Sequence, residues 1–122
     1  MVLLFGLEGG LRRGLEDALA RLDRPAKSQA YPAGAERLRQ IEQCEAEMVF
    51  CSADWEAWRA LLRLLRRHRP GLPVVVVSRF GETGDWVEAL EAGAWDCCAP
   101  PFDAAELGGI FERARRLRPV AV

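Results

Sequence analysis

The hydrophobic pattern changes period repeatedly along the chain, and that alternation restricts the fold more than any other feature. Short, continuously apolar runs stand at "VLLF" (Val2 to Phe5), "MVFC" (Met48 to Cys51) and "VVVV" (Val74 to Val77). Runs of this kind suit strands covered on both faces. "AKSQAY" (Ala26 to Tyr31) reads as a weaker second strand, and Trp95 to Ala99 as a short fifth. Between these runs apolar residues recur every three or four positions. Leu11, Leu15, Leu19 and Leu22 predict a helix that stops before Pro25, and Ala35, Leu38, Ile41 and Cys44 predict a second. Trp55, Trp58, Leu61, Leu62 and Leu65 form a third helical stripe. A fourth helix is expected over Asp85 to Ala92, with Thr83 as its N-cap, Gly93 as its stop, and Val87 and Leu90 facing inward. Asp103 then caps a last helix that turns Leu107, Ile110, Phe111, Ala114 and Leu117 inward. Strands alternating with helices imply a parallel sheet, because parallel neighbours need crossover connections. The expectation is a five-stranded α/β sandwich with helices on both faces.

Its 122 residues suit one domain, 1–122, with no linker-like stretch inside it. The formal charge of -1, from 17 basic and 18 acidic residues, argues against direct nucleic-acid binding. The basic cluster "RLLRRHR" (Arg63 to Arg69) reads as the solvated face of a helix whose leucines point inward. No run reaches the roughly 20 apolar residues that span a bilayer, and "MVLLF" is too short for a signal peptide. A cytoplasmic location is expected, with Cys44, Cys51, Cys97 and Cys98 as reduced thiols. There is no C-x-x-C pair and a lone histidine, His68, so a metal site is not expected.

In an open parallel sheet, ligands bind outside the carboxyl ends of the strands. The residues at those ends are Gly6-Leu7-Glu8, Ser52-Ala53-Asp54, Ser78-Arg79 and Pro100-Pro101. This arrangement, together with "LPVVVVSRFGETGDWVEALEAGAWDCCAPPFDAAEL", resembles the receiver domain of two-component response regulators. The likeness spans the whole chain and is sharpest from Leu72 to Leu107. It implies a CheY-like, flavodoxin-like sheet in the order 2-1-3-4-5. It also implies a set of site positions. A working receiver takes a phosphoryl group on an aspartate after the third strand. Two acidic residues after the first strand help that aspartate hold Mg²⁺, which favours carboxylate oxygens. A Ser/Thr after the fourth strand and a lysine after the fifth contact the phosphoryl oxygens, whose charge calls for cations.

Carried over position by position, most of these groups are missing. Gly6 and Leu7 stand where the acidic pair belongs, with Glu8 just beyond. The acceptor position falls on Ser52, with Asp54 nearby. Ser78 keeps the Ser/Thr position, Cys97 takes that of the switch aromatic, and Pro100 that of the lysine. The bond before Pro101 matches the family's Lys-Pro bond and is expected to be cis. The resemblance therefore points to a pseudo-receiver, with Mg²⁺ binding weak or absent, that acts as a protein-interaction or dimerisation module. Its partners would be itself, an output domain or another regulator. Family likeness puts that contact on the fourth helix, fifth strand and last helix, where Trp86, off the Val87–Leu90 stripe, and Trp95 are candidate anchors. Two other readings stay open: an unorthodox active receiver using Asp54 and Glu8, and a redox sensor built on Cys97-Cys98.

Overall fold

A computed structural model describes residues 1–29, 39, 41–43 and 45–117. In chain order the elements are β1 (Val2–Phe5), α1 (Gly9–Arg21), β2 (Ala26–Gln29), β3 (Met48–Ser52), α2 (Trp58–His68), β4 (Val74–Val77), α3 (Thr83–Glu91), β5 (Asp96–Cys98) and α4 (Ala104–Leu117). The five strands are parallel and lie in the order β2-β1-β3-β4-β5, as the resemblance implied. The helix expected from Ala35 to Cys44 lies outside the described residues, apart from 39 and 41–43, which are helical.

Strand alternation sorts the core into two layers. Leu3, Phe5, Val49, Cys51, Val74, Val76 and Cys97 face α2 and α3, where Leu61, Leu62, Leu65 and Ala89 meet them. Val2, Leu4, Met48, Phe50, Val75, Val77 and Cys98 face α1 and α4, where Leu15, Leu19, Leu107, Ile110 and Phe111 meet them. Every residue of β1, β3 and β4 is buried, which explains why these strands read as unbroken apolar runs. α1 and α4 approach closely: Phe102 lies over Gly14, and Leu22 reaches the backbone at Gly108.

Element ends differ from the sequence expectation at several points. β5 is shorter than Trp95 to Ala99, and α2 begins at Trp58, leaving Trp55 in the preceding turn. The cap position of α3 is Glu82, so Thr83 is the first helical residue rather than the cap. Gly93, at φ 99°, does end that helix, and the Asp103 carboxylate accepts the Ala105 N–H at 2.8 Å to cap α4.

The face that α3 buries is also rotated from the expectation. Val87 and Leu90 are exposed, at 48% and 52%, whereas Ala89 is fully buried and Trp86 packs against the core. Two pairs spaced i, i+3 compete here, Trp86/Ala89 and Val87/Leu90, offset by one residue or about 100° of helical turn. Hydrophobicity favours the second pair, but the small Ala89 lets the helix lie close to the sheet. Trp86 is therefore turned toward the core and partly buried. Trp95 likewise packs on the core, on the α4 side of the sheet, and neither indole N–H has an acceptor among the described residues. Truncating Trp86 to Ala is expected to cost about 3 kcal/mol of unfolding free energy in urea titrations. Leu90→Ala should stay within about 0.5 kcal/mol, and the reverse ranking would restore the Val87–Leu90 inward face.

Candidate functional site

The carboxyl ends of β1, β3 and β4 open onto a cleft of about 540 Å³, lined by Gly6, Glu8, Arg12, Ser52, Asp54, Trp55 and Arg79 among others. Leu7 is not in a position to act as a ligand, because it is 5% exposed and belongs to the α1–α4 core layer. Glu8 is exposed at the head of α1 and makes no side-chain cap bond. Ser52 is buried, and its Oγ accepts the Asp54 N–H at 3.1 Å in a tight turn. Asp54 points outward, and its Oδ2 accepts a bond from Arg79 Nε at 3.2 Å. This ion pair is exposed on both sides, so it contributes little stability.

Trp55 dominates the site, and the sequence pattern had assigned it to a helix. Its ring stacks on Phe5 at a centroid distance of 6.0 Å and an interplanar angle of 14°. It also lies directly over Gly6, which has φ 69°. A Cβ at Gly6 would overlap Trp55 Cβ and Cγ, so the indole occupies the place of any side chain at position 6. Backbone conformation and steric fit both call for glycine there. Gly6 directly after a strand, with tryptophan three residues past Ser52, was a signal available in the sequence.

The donor set does not suit Mg²⁺. Two carboxylates, Glu8 and Asp54, line the cleft together with two guanidinium groups, and one of the carboxylates is ion-paired. A magnesium ion coordinated by protein needs clustered, accessible carboxylates and water. Among the described residues there is no group of three potential metal ligands. Pro100, where the resemblance implies a lysine, carries no charge or donor, and its bond to Pro101 is cis.

Ser78 stands where the resemblance implies a Ser/Thr, and its hydroxyl is already engaged. It is fully buried, its N–H donates to Cys98 O at 2.8 Å, and its Oγ donates to Asp85 Oδ2 at 2.9 Å. Asp85 sits in the first turn of α3, so this bond ties the helix to the end of β4. Arg59 on α2 holds the same helix through Glu88 at 2.6 Å. The role of Asp85 was missed because nothing in the local pattern marks a contact between a strand end and a helix.

The three described cysteines are buried free thiols. Cys97 and Cys98 are consecutive strand residues that point into opposite core layers, so a vicinal disulfide would require β5 to be dismantled. Burial, reinforced by neighbouring acidic groups, pushes the Cys97 thiol up to about 12, and burial pushes Cys51 to about 12. Cys98 is raised in the same direction, again chiefly by burial. None of the three is a low-pKa nucleophile of the kind redox sensing needs. Cys44 lies outside the described residues.

Two measurements follow from this geometry. The raised thiols are protonated in the folded state, whereas unfolded thiols ionise from about pH 9. Stability is therefore complete below pH 9 and falls as pH rises toward 12, by up to about 1.4 kcal/mol per pH unit for each thiol. Alkaline urea titrations check this; a flat profile between pH 9 and 11 would refute the buried-thiol assignment. For Ser78→Ala, loss of the bond to Asp85 should cost about 1 kcal/mol. Amide exchange in the first turn of α3 should then quicken about five-fold, with α1 unchanged.

No protein-family model matches the chain. Over 57 residues it is 39% identical to the regulatory protein AtoC of Escherichia coli K12, covering 47% of this chain and 12% of that protein. It is 43% identical over 54 residues to the DNA-binding transcriptional regulator NtrC of Rhizobium meliloti, covering 44% and 11%. The matched stretch thus spans about an eighth of the length of these regulators. Among solved structures, the receiver domain of NtrX from Brucella abortus superposes with a TM-score of 0.76 at 27% identity, covering 96% of this chain and 99% of that domain. The CheY-like protein tadZ from Pseudomonas aeruginosa PAO1 gives a TM-score of 0.79 at 23% identity, a likeness of fold. Sheet order, strand-end positions and these likenesses converge: the chain is a receiver domain of the response-regulator family, with the CheY-like fold.

Proposed function

We propose that this receiver domain signals through protein contacts without carrying a phosphoryl group. The observation that supports it most directly is the Trp55 ring over Gly6, in the space an acidic side chain at position 6 would need. Ser52 cannot form an acyl phosphate, its Oγ is tied into the turn to Asp54, and Pro100 supplies no cation. Mg²⁺ binding is accordingly weak or absent. The Ser78 hydroxyl, which a phosphoryl group would have to recruit, is bonded to Asp85 instead.

The partner in this reading is an output domain or another regulator, with self-association through α3, β5 and α4 as the specific form. Val87 and Leu90 supply the exposed apolar residues of that face. Arg113 on α4 bonds Asp96 on β5 at 2.7 Å across it. These residues, rather than Trp86 and Trp95, would meet a partner. The domain's place is in the cytoplasm; among the described residues no helix is long and apolar enough to cross a membrane. Direct contact with nucleic acid is left to other parts of such regulators.

An active receiver built on Asp54 and Glu8 is the competing reading. Asp54 is accessible, but it faces Arg79 rather than a cluster of carboxylates. Magnesium with beryllofluoride separates the two, followed by amide spectra and tryptophan emission. No saturable change at Ser52 to Trp55 is the expected outcome. A stoichiometric response centred on Asp54 would overturn the proposal. Gly6→Asp alone should not create binding and should destabilise the fold, because the carboxylate would have to displace Trp55.

A further inference from the structure

A second groove lies at the opposite pole of the domain, where the amino ends of β4 and β5 meet the C-terminal ends of α2 and α3. It encloses about 490 Å³, within the range of binding pockets. Its floor is apolar, with Leu62 and Leu72 among the buried residues, and Trp95 forms part of its wall. Arg66 and Arg69 stand at its rim, and no Asp or Glu lines it. Neither arginine makes an ion pair with a described residue, although seven pairs form elsewhere among the described residues.

Arg66 is held in place before any ligand arrives. Its Nη1 donates to Ala92 O at 3.3 Å, at the end of α3. The guanidinium lies over Gly93, where a Cβ would collide with it. A fork positioned in advance loses less conformational freedom on binding a carboxylate. Cations at the end of α2 also suit the negative pole of the helix. That pole does not account for the apolar lining of the groove, although Glu42 and Glu45 line the adjoining pocket on the other side of Arg69.

We infer that this groove binds an acidic peptide segment of a partner protein, with carboxylates on Arg66 and Arg69 and an aliphatic side chain against Leu62, Leu72 and Trp95. The inference rests on the domain acting through protein contacts, and it names a surface away from the strand-end cleft, at the C-terminal end of α3. Charge complementarity sets the occupant: with a net charge of -1, the chain lacks the broad basic field that nucleic acid requires.

The probe is a blocked peptide of sequence Glu-Glu-Leu-Glu-Glu, compared with its all-glutamine counterpart, on the isotope-labelled chain. The glutamate peptide should shift the amides of Gly71, Gly93 and Trp95 saturably, at least about ten-fold more tightly than the glutamine peptide. Arg69→Gln and Arg66→Gln should each weaken binding about five-fold, more at low salt than at high salt. Equal response to the two peptides, shifts spread over the arginines of α4, or no shift at millimolar peptide would each overturn the inference. The peptide comparison needs no variant, so it decides the matter even if a substitution unfolds the chain. A beryllofluoride response at Asp54 would instead defeat the phosphorylation-independent reading while leaving the groove result standing.

Discussion

The burial of the central strands on both faces is the constraint from which the rest follows. β1, β3 and β4 expose almost no side-chain surface, so they have no room for polar chemistry along their length. Polar groups are pushed to the strand ends, and the parallel arrangement gathers the carboxyl ends at one edge. The fold thus supplies a site location irrespective of which residues fill it. In this chain that edge carries Gly6, Ser52, Asp54, Trp55 and Arg79.

The side chains at that edge pack and pair among themselves. Glycine at position 6 leaves space above the end of β1. Trp55 fills it by stacking on Phe5, and glycine at position 6 makes that stacking possible. Ser52 and Ser78, both buried, have likewise found partners in Asp54 and Asp85, so neither polar group is stranded. The side chains at this edge are thus packed and paired with one another.

Much of the fold was legible because its signals are local. The valine run of β4, the glycine stop at Gly93 and the Asp103 cap follow from period and backbone preference. The cis bond at Pro100-Pro101 was legible through family spacing. The failures share a cause in side-chain packing that no period encodes. Trp55 matched a helical spacing but is drawn to Phe5 across the sheet end. Val87 and Leu90 matched an inward stripe, yet Ala89 decides the approach of α3 by being small. The pairings of Ser78 with Asp85 and Arg66 with the end of α3 join elements that the sequence leaves apart.

The adjacent cysteines of β5 acquire a practical meaning from their alternation. Because Cys97 belongs to the layer beneath α2 and α3 and Cys98 to the layer beneath α1 and α4, each thiol is a natural reporter for one half of the molecule. Pulse alkylation read residue by residue would therefore time the opening of the two helical layers separately. Neighbours in sequence would serve as independent clocks on opposite sides of the sheet.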